Sequence, residues 1–514
     1  MEKKRRLSPF RVILAIVILA GISSAIYWQW HRLQETIVFE PVKPWFSPYV
    51  DVTATPRYVF EQLGATPNQK NLVLSFIVSS TTEACIPSWG GVYPLDDAGR
   101  ELDLDRRIAR FRQLGGNIAV SFGGLLNDEL ALNCKDSGKL LNAYKQVIDR
   151  YDIDTIDIDL EGNGLTDAEA LKRRASVLAE LQKVRRSESK RLAVWLTLPV
   201  ATFGLTEDGT SAVSEMLVSG VDLAGVNVMT MDYGGSREDG QTMQQATEQA
   251  LIETHRQIGI LYNQAGINLS DASLWVKIGA TVMIGQNDVV DEIFTLEDAA
   301  GLNEFTISKG VARMSMWSAN RDIQCGENYV NIKVVSDSCS GIKQEKFGFA
   351  TLLSKEFNGD ITSNASRVTT QSFETKQQPD HPDESPYQIW SRSATFLEGT
   401  KVVWHQNVYQ AKWWTRGDIP DNPVLQSWQT PWQLVGPVLP GEKPIPQPTL
   451  PAGTYPEWSG STVYDEGQMV LFNGTPYEAK WWTQGDSPAA STSNPDSSPW
   501  IILTQEQIDF GVVY

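Results

Sequence analysis

Asp157, Asp159 and Glu161 occupy alternate positions in the stretch Asp154-Thr-Ile-Asp-Ile-Asp-Leu-Glu161. On a β-strand alternate residues share a face, so the three carboxylates project together while Ile156, Ile158 and Leu160 project the other way. Like charges held this close raise the pKa of at least one member. A carboxyl group that keeps its proton near neutral pH is a general acid. The interleaved apolar face marks the strand as buried and sets it apart from an acidic surface strand. Other chemistries lack parts: the four histidines, His31, His255, His381 and His405, are too few and too scattered for a metal cage or a Ser/His/Asp relay. No metal and no cofactor is therefore expected.

Such a strand needs neighbours to hold it. Apolar, β-rich runs occur at residues 48–52, 72–78, 118–122, 155–160, 192–198, 224–231, 274–283 and 312–317. Helix-forming stretches such as 167–186 and 243–264 lie between them, and buried strands alternating with helices imply a parallel sheet. Eight such units suit an α/β fold of the closed (β/α)8 TIM-barrel kind, over residues 33–358, better than an open doubly wound sheet. Glu161, last in its strand, then lies at the barrel end where active sites form. Residues 359–386 turn polar and read as a solvated linker. An internal repeat follows: Tyr409-Gln-Ala-Lys-Trp-Trp-Thr-Arg-Gly-Asp418 matches Tyr477-Glu-Ala-Lys-Trp-Trp-Thr-Gln-Gly-Asp486. Two small all-β modules are expected, at 387–436 and 455–514, joined by a stiff Pro-rich linker at 437–454. Modules this small must use some of their Trp residues as core. Adjacent residues on a strand point oppositely, so one member of each pair, Trp413-Trp414 and Trp481-Trp482, is expected inside and the other outside, in an order left open.

The 514 residues carry 44 Lys and Arg against 62 Asp and Glu, a net charge of −18, which repels a polyanion and argues against nucleic acid. Seventeen Trp and 15 Tyr supply flat apolar faces for a neutral, hydrogen-bonding partner. Lys3, Lys4, Arg5 and Arg6 precede a nearly uncharged run at residues 12–30, about 28 Å long as a helix, enough to span a bilayer. The basic start and the aromatic Tyr27, Trp28 and Trp30 favour a single-pass membrane anchor with a cytoplasmic N-terminus over a signal peptide cleaved near Ala25. Either way the bulk of the chain is expected outside the cytoplasm, as a monomer. There, Cys85, Cys134, Cys325 and Cys339, none in C-x-x-C spacing, should form two disulfides whose pairing the sequence leaves open.

With D-x-x-D-x-D-x-E on its fourth strand, the chain resembles the family 18 glycoside hydrolases, the chitinases. Ser121-Phe-Gly-Gly124 resembles their S-x-G-G segment at the third strand, Met229-Thr-Met-Asp-Tyr233 their Met/Tyr/Asp segment at the sixth, and Trp317 fits the eighth. The likeness covers residues 45–357 and is nearest to a bacterial branch with M-T-M-D-Y-G and paired cysteines. It implies substrate-assisted, retaining hydrolysis of β-1,4 linkages between N-acetylglucosamine units. Glu161 would act as acid and then base, Asp159 would orient the attacking acetamido group, Asp157 would hold Asp159 through a shared proton, and Trp317 would floor the sugar site. Many members read Met-x-Tyr-Asp, whereas Asp232 precedes Tyr233 here, so only one of the two faces substrate readily, with Asp232 the first choice. Ser121 either contacts substrate or belongs to a tight strand exit with the two glycines. Ala-Lys-Trp-Trp-Thr resembles the signature of small chitin-binding modules, which makes Trp413, Trp414, Trp481 and Trp482 candidate binding residues and chitin and its oligomers the expected partners. The competing readings are an endo-β-N-acetylglucosaminidase acting on glycoproteins and a non-catalytic chitin lectin or adhesin. The modules favour chitin, and the presence of Glu161, Asp159 and Asp157 favours catalysis.

Overall fold

The computed structural model describes residues 43–66, 69–329, 331, 334–361, 379–439, 441–444, 448–488, 498–503 and 507–508. Contacts divide the chain into a large unit, Val38–Lys376, and a smaller one that takes in Gln377–Tyr514. In the large unit the apolar runs form β1 (Trp45–Phe46), β2 (Tyr49–Asp51), β3 (Asn71–Ser79), β4 (Asn117–Gly123), β5 (Thr155–Asp159), β6 (Ala193–Ala201), β7 (Leu223–Met229), β8 (Ile278–Met283) and β9 (Arg313–Trp317). They pair in parallel in the order β1-β9-β8-β7-β6-β5-β4-β3, and β2 also pairs in parallel with β3. Residues 45–51 therefore bond to the last strand through Trp45 and Phe46 and to β3 through Tyr49–Asp51.

Helices α1 (Leu104–Gln113), α2 (Ser137–Tyr151), α3 (Ala168–Ser187), α4 (Glu207–Val218), α5 (Met243–Gln264) and α6 (Leu296–Lys309) alternate with strands from β3 onward. Their starts are written in the sequence. Asp136, Asp167 and Thr206 accept backbone N–H bonds as N-caps of α2, α3 and α4, while Thr242 with Gln245 and Thr295 with Asp298 form capping boxes on α5 and α6. One run differs from expectation: residues 274–283 begin helical. Ser270 caps a short helix, Asp271–Val276, so the strand starts only at Ile278. Cys85 pairs with Cys134 and Cys325 with Cys339.

The membrane-anchored localisation must be corrected. Among the described residues no helix is long and apolar enough to cross a membrane; α5, the longest of those named, carries His255, Arg256 and two glutamates, Glu248 and Glu253, along its length. Residues 12–30, on which the anchor rested, lie outside the described residues.

The smaller unit contains two three-stranded antiparallel sheets of matching register. In the first, β11 (Asn407–Ala411) pairs with β10 (Lys401–Trp404) and β12 (Trp432–Pro437); in the second, β14 (Thr475–Ala479) pairs with β13 (Met469–Phe472) and β15 (Trp500–Ile502). Trp390, Phe396, Tyr409 and Trp432 are buried in one core, and Tyr464, Tyr477 and Trp500 in the other. The repeated Thr-x-Gly-Asp also has a job in each. Thr415 and Thr483 donate to the Asp418 and Asp486 carboxylates, whose backbone carbonyls accept the indole N–H of Trp432 (2.9 Å) and Trp500 (2.8 Å).

Candidate active site

β5 runs between β4 and β6, with Gly123 and Thr197 flanking Asp159. Ile156, Ile158 and Leu160 are fully buried on one face, and Asp157 and Asp159 are buried on the other. The strand ends at Asp159. Glu161 follows in extended backbone and immediately precedes the short helix Gly162–Thr166, so its half-buried carboxyl emerges at the C-terminal edge of the sheet.

Asp157 is the anchored member. Its Oδ2 accepts from the Tyr49 hydroxyl (2.9 Å) and Ser121 Oγ (2.7 Å), and its Oδ1 from Thr197 Oγ1 (2.7 Å) and the Arg313 guanidinium (2.6 Å). Arg313 also donates to the Tyr49 hydroxyl and to Ser315, and its guanidinium lies against the rings of Trp45, Tyr49 and Trp195. Burial pushes the Tyr49 phenol well above its usual range, so it stays a proton donor. No hydrogen bond joins Asp157 to Asp159 here, where a shared proton was expected; Asp157 takes its four donors from four other strands. Ser121 is likewise corrected from a substrate contact to a positioning residue, because it is fully buried and its hydroxyl is spent on Asp157.

Asp159 is left with a different environment. Its Oδ1 is buried without a hydrogen-bond partner. Burial, then the charges of Glu161 and Asp157, raise its pKa well above the usual carboxylate range, against the pull of Arg313. Glu161 is pushed up to about 7, by burial first and by the charge of Asp232 second. Two glycines allow this crowding. A Cβ on Gly123 (φ +108°) would lie 2.0 Å from the Asp159 carbonyl oxygen, and one on Gly124 (φ +85°) 3.1 Å from the Phe76 ring.

Of the pair after β7, Asp232 is the one brought to the site. It holds a left-handed backbone (φ +50°), accepts from the Val289 N–H (2.9 Å), and is itself raised by burial. The next turn is fastened from below: the buried Glu292 carboxylate accepts the N–H groups of Tyr233 (2.9 Å) and Gly234 (2.8 Å). Tyr233 points away, its hydroxyl bonded to Thr247 of α5 at 3.1 Å, which corrects its candidacy as a substrate contact. Trp317 is half-buried, stacked on Phe76 (centroids 5.5 Å, planes 22° apart) and tilted on Tyr49. Phe76, Tyr49, Thr197 and Arg313 went unmarked in the sequence. Their signal, a polar or aromatic residue inside an otherwise apolar run, is shared by residues with no such role.

The tryptophan pairs also depart from expectation. All four are exposed: Trp413 at 42%, Trp414 at 57%, Trp481 at 45% and Trp482 at 61%. The alternation argument assumed a strand, whereas residues 412–414 and 480–482 form a bend between strands, where neighbours need not face opposite ways.

The profile of carbohydrate-binding module family 5/12 matches residues 457–500. The chain is 32% identical over 313 residues to the "Probable bifunctional chitinase/lysozyme" of Escherichia coli (strain K12), which covers 59% of this chain and 34% of that protein. It is 30% identical over 308 residues to endochitinase 11 of Metarhizium anisopliae, covering 58% and 57% respectively. The chain thus spans less than two thirds of either relative. The structure is similar to the catalytic domain of a hyperthermophilic chitinase from Pyrococcus furiosus, at 26% identity and a TM-score of 0.53, covering 62% of this chain and 96% of that one.

Two outcomes follow from the geometry. Arg313→Met leaves Asp157 buried with its charge uncompensated, so chemical denaturation should show the large unit destabilised by about 3–5 kcal/mol; an unchanged midpoint would mean that the pair is dispensable. Tyr233→Phe removes a hydroxyl bonded to Thr247 and away from the carboxylates, so any hydrolytic turnover of chitin oligomers should stay within about threefold of wild type, with a stability loss of about 1 kcal/mol.

Proposed function

We propose that the chain is a glycoside hydrolase that cleaves chitin, with Glu161 as its general acid and base. The observation that carries this reading is the half-buried Glu161 carboxyl, pushed up to about 7 and facing Asp232, beside an Asp159 oxygen that has no partner of its own. The likeness to the bacterial, fungal and archaeal proteins above supports chitin as the substrate. The bonding of residues 45–51 to both β9 and β3 supports a sheet closed as a (β/α)8 barrel. In the proposed cycle Glu161 protonates the glycosidic oxygen, and the substrate's acetamido carbonyl attacks the anomeric carbon from the opposite face. Asp159 accepts the acetamido N–H through its free oxygen and stabilises the resulting oxazolinium cation. Glu161 then takes a proton from the incoming water, which opens the ring with net retention. Trp317, stacked on Phe76, gives the sugar its apolar floor.

Domain boundaries near 33–358, 387–436 and 455–514 and two chitin-binding modules complete the proposal. The family match covers the second module, and the matching register and exposed Trp413-Trp414 support the same role for the first. Disulfides of this kind form in oxidising compartments, which suits an enzyme of a polymer outside the cytoplasm.

Glu161→Gln should lower kcat on chitin oligomers by a factor of at least about 100, with wild type releasing the β anomer first by proton NMR. An undiminished rate, or α anomer first, refutes the mechanism. The acid must be protonated to act, so kcat/KM should fall as pH rises through about 7. Asp232→Asn removes the charge that helps Glu161 hold its proton, so the basic limb should move to lower pH. A limb that stays in place after that substitution would show that Asp232 does not face the acid.

A further inference from the structure

Aligned on Ala-Lys-Trp-Trp-Thr, the segments from Gly417 to Trp432 and from Gly485 to Trp500 are equally long, and Trp428 of the first falls where the second has Asp496. Trp428 is 55% exposed at the tip of a turn. That turn is held firmly: the Gln429 and Thr430 N–H groups donate to the Gln426 carbonyl (2.9 and 3.0 Å), and the Gln426 N–H donates to the Gln429 side chain (3.1 Å). It is also tied to the Trp pair. Lys412 Nζ donates to the Ser427 carbonyl (2.6 Å) while lying 4.7 Å from the centre of the Trp413 ring. In the second module Lys480 covers Trp481 in the same way, at 4.5 Å, but the sequence offers an aspartate in place of the third ring. A large exposed aromatic on a fixed turn gains by being covered, and the flat faces beside it are those already proposed to take sugar rings.

We infer that Trp428 is a third sugar-stacking residue of the first module, and that the two modules are unequal, the first binding chitin more tightly. The inference rests on the proposed chitin-binding role of the modules. The test uses the full chain and its partition onto insoluble chitin. With the second module silenced by Trp481→Ala and Trp482→Ala, adding Trp428→Ala should weaken binding about five- to tenfold, while the thermal unfolding midpoint of the smaller unit stays unchanged and so reports that the first module still folds. The chain that keeps only the first module should also bind more tightly than the chain that keeps only the second, made by Trp413→Ala, Trp414→Ala and Trp428→Ala. Undiminished binding after Trp428→Ala, where Trp413→Ala with Trp414→Ala abolishes it, overturns the role of Trp428 alone. Equal or reversed affinities of the two single-module chains overturn the inequality. If removing Trp413 and Trp414 also changes nothing, the chitin-binding reading of the first module fails and this inference with it.

Discussion

Everything at the site depends on how Asp157 is held. A carboxylate with no exposed surface is tolerable only if it is paired and hydrogen-bonded. Here the partners are Tyr49 from β2, Ser121 from β4, Thr197 from β6 and Arg313 from β9, so one side chain on β5 gathers donors from four other strands. The network continues through Asn227 on β7, which donates to Tyr49, Thr197 and Thr281 on β8. Such a pair adds little net stability against an apolar core of the same volume, because desolvation offsets most of the attraction. What it does supply is position. A one-residue slip of any contributing strand would carry its donor to the wrong face, so the register of the sheet and the placement of Asp157 specify each other.

With Asp157 and Arg313 neutralising one another, the charge imbalance falls on the residues above them. Asp159 ends β5 and Glu161 follows it at the edge of the sheet, and Asp232 approaches from the loop after β7. Glu161 and Asp232 are both raised chiefly by burial. The site therefore keeps a proton, as the proposed reaction asks of its acid.

Much of this was legible in the sequence because strand alternation is strict. The D-x-D-x-E spacing alone places three carboxylates on one face, and the apolar residues between them bury it. Cap residues likewise announced the helices: Asp167 and Thr242 sit directly before α3 and α5. Legibility failed where the backbone leaves regular structure. Asp232 has a left-handed conformation, so the alternation that should oppose it to Tyr233 holds only because the turn, fastened by Glu292 from 58 and 59 residues away, happens to send Tyr233 toward Thr247. The Trp pairs failed for the same reason, on a bend rather than a strand. Arg313 could not be found at all from local pattern, since its partner Asp157 is 156 residues away and its own strand reads as apolar.

The contrast between the two carboxylates of the proposed reaction follows from one geometric difference. Asp159 lies within the strand, buried, its Oδ1 without a partner and its carbonyl accepting the Gly124 N–H at 3.1 Å, in space that a Cβ on Gly123 would fill. Glu161 lies beyond the strand end, where the chain turns into a short helix and the carboxyl reaches the open edge. A buried, crowded carboxylate gains most when a positive charge forms beside it, which suits Asp159 to a cationic intermediate more than to proton exchange. An edge carboxyl raised to about 7 can both give and retake a proton at neutral pH, because neither form is far from the other in free energy. One position inside the strand and one just past its end thus divide the labour of the proposed reaction.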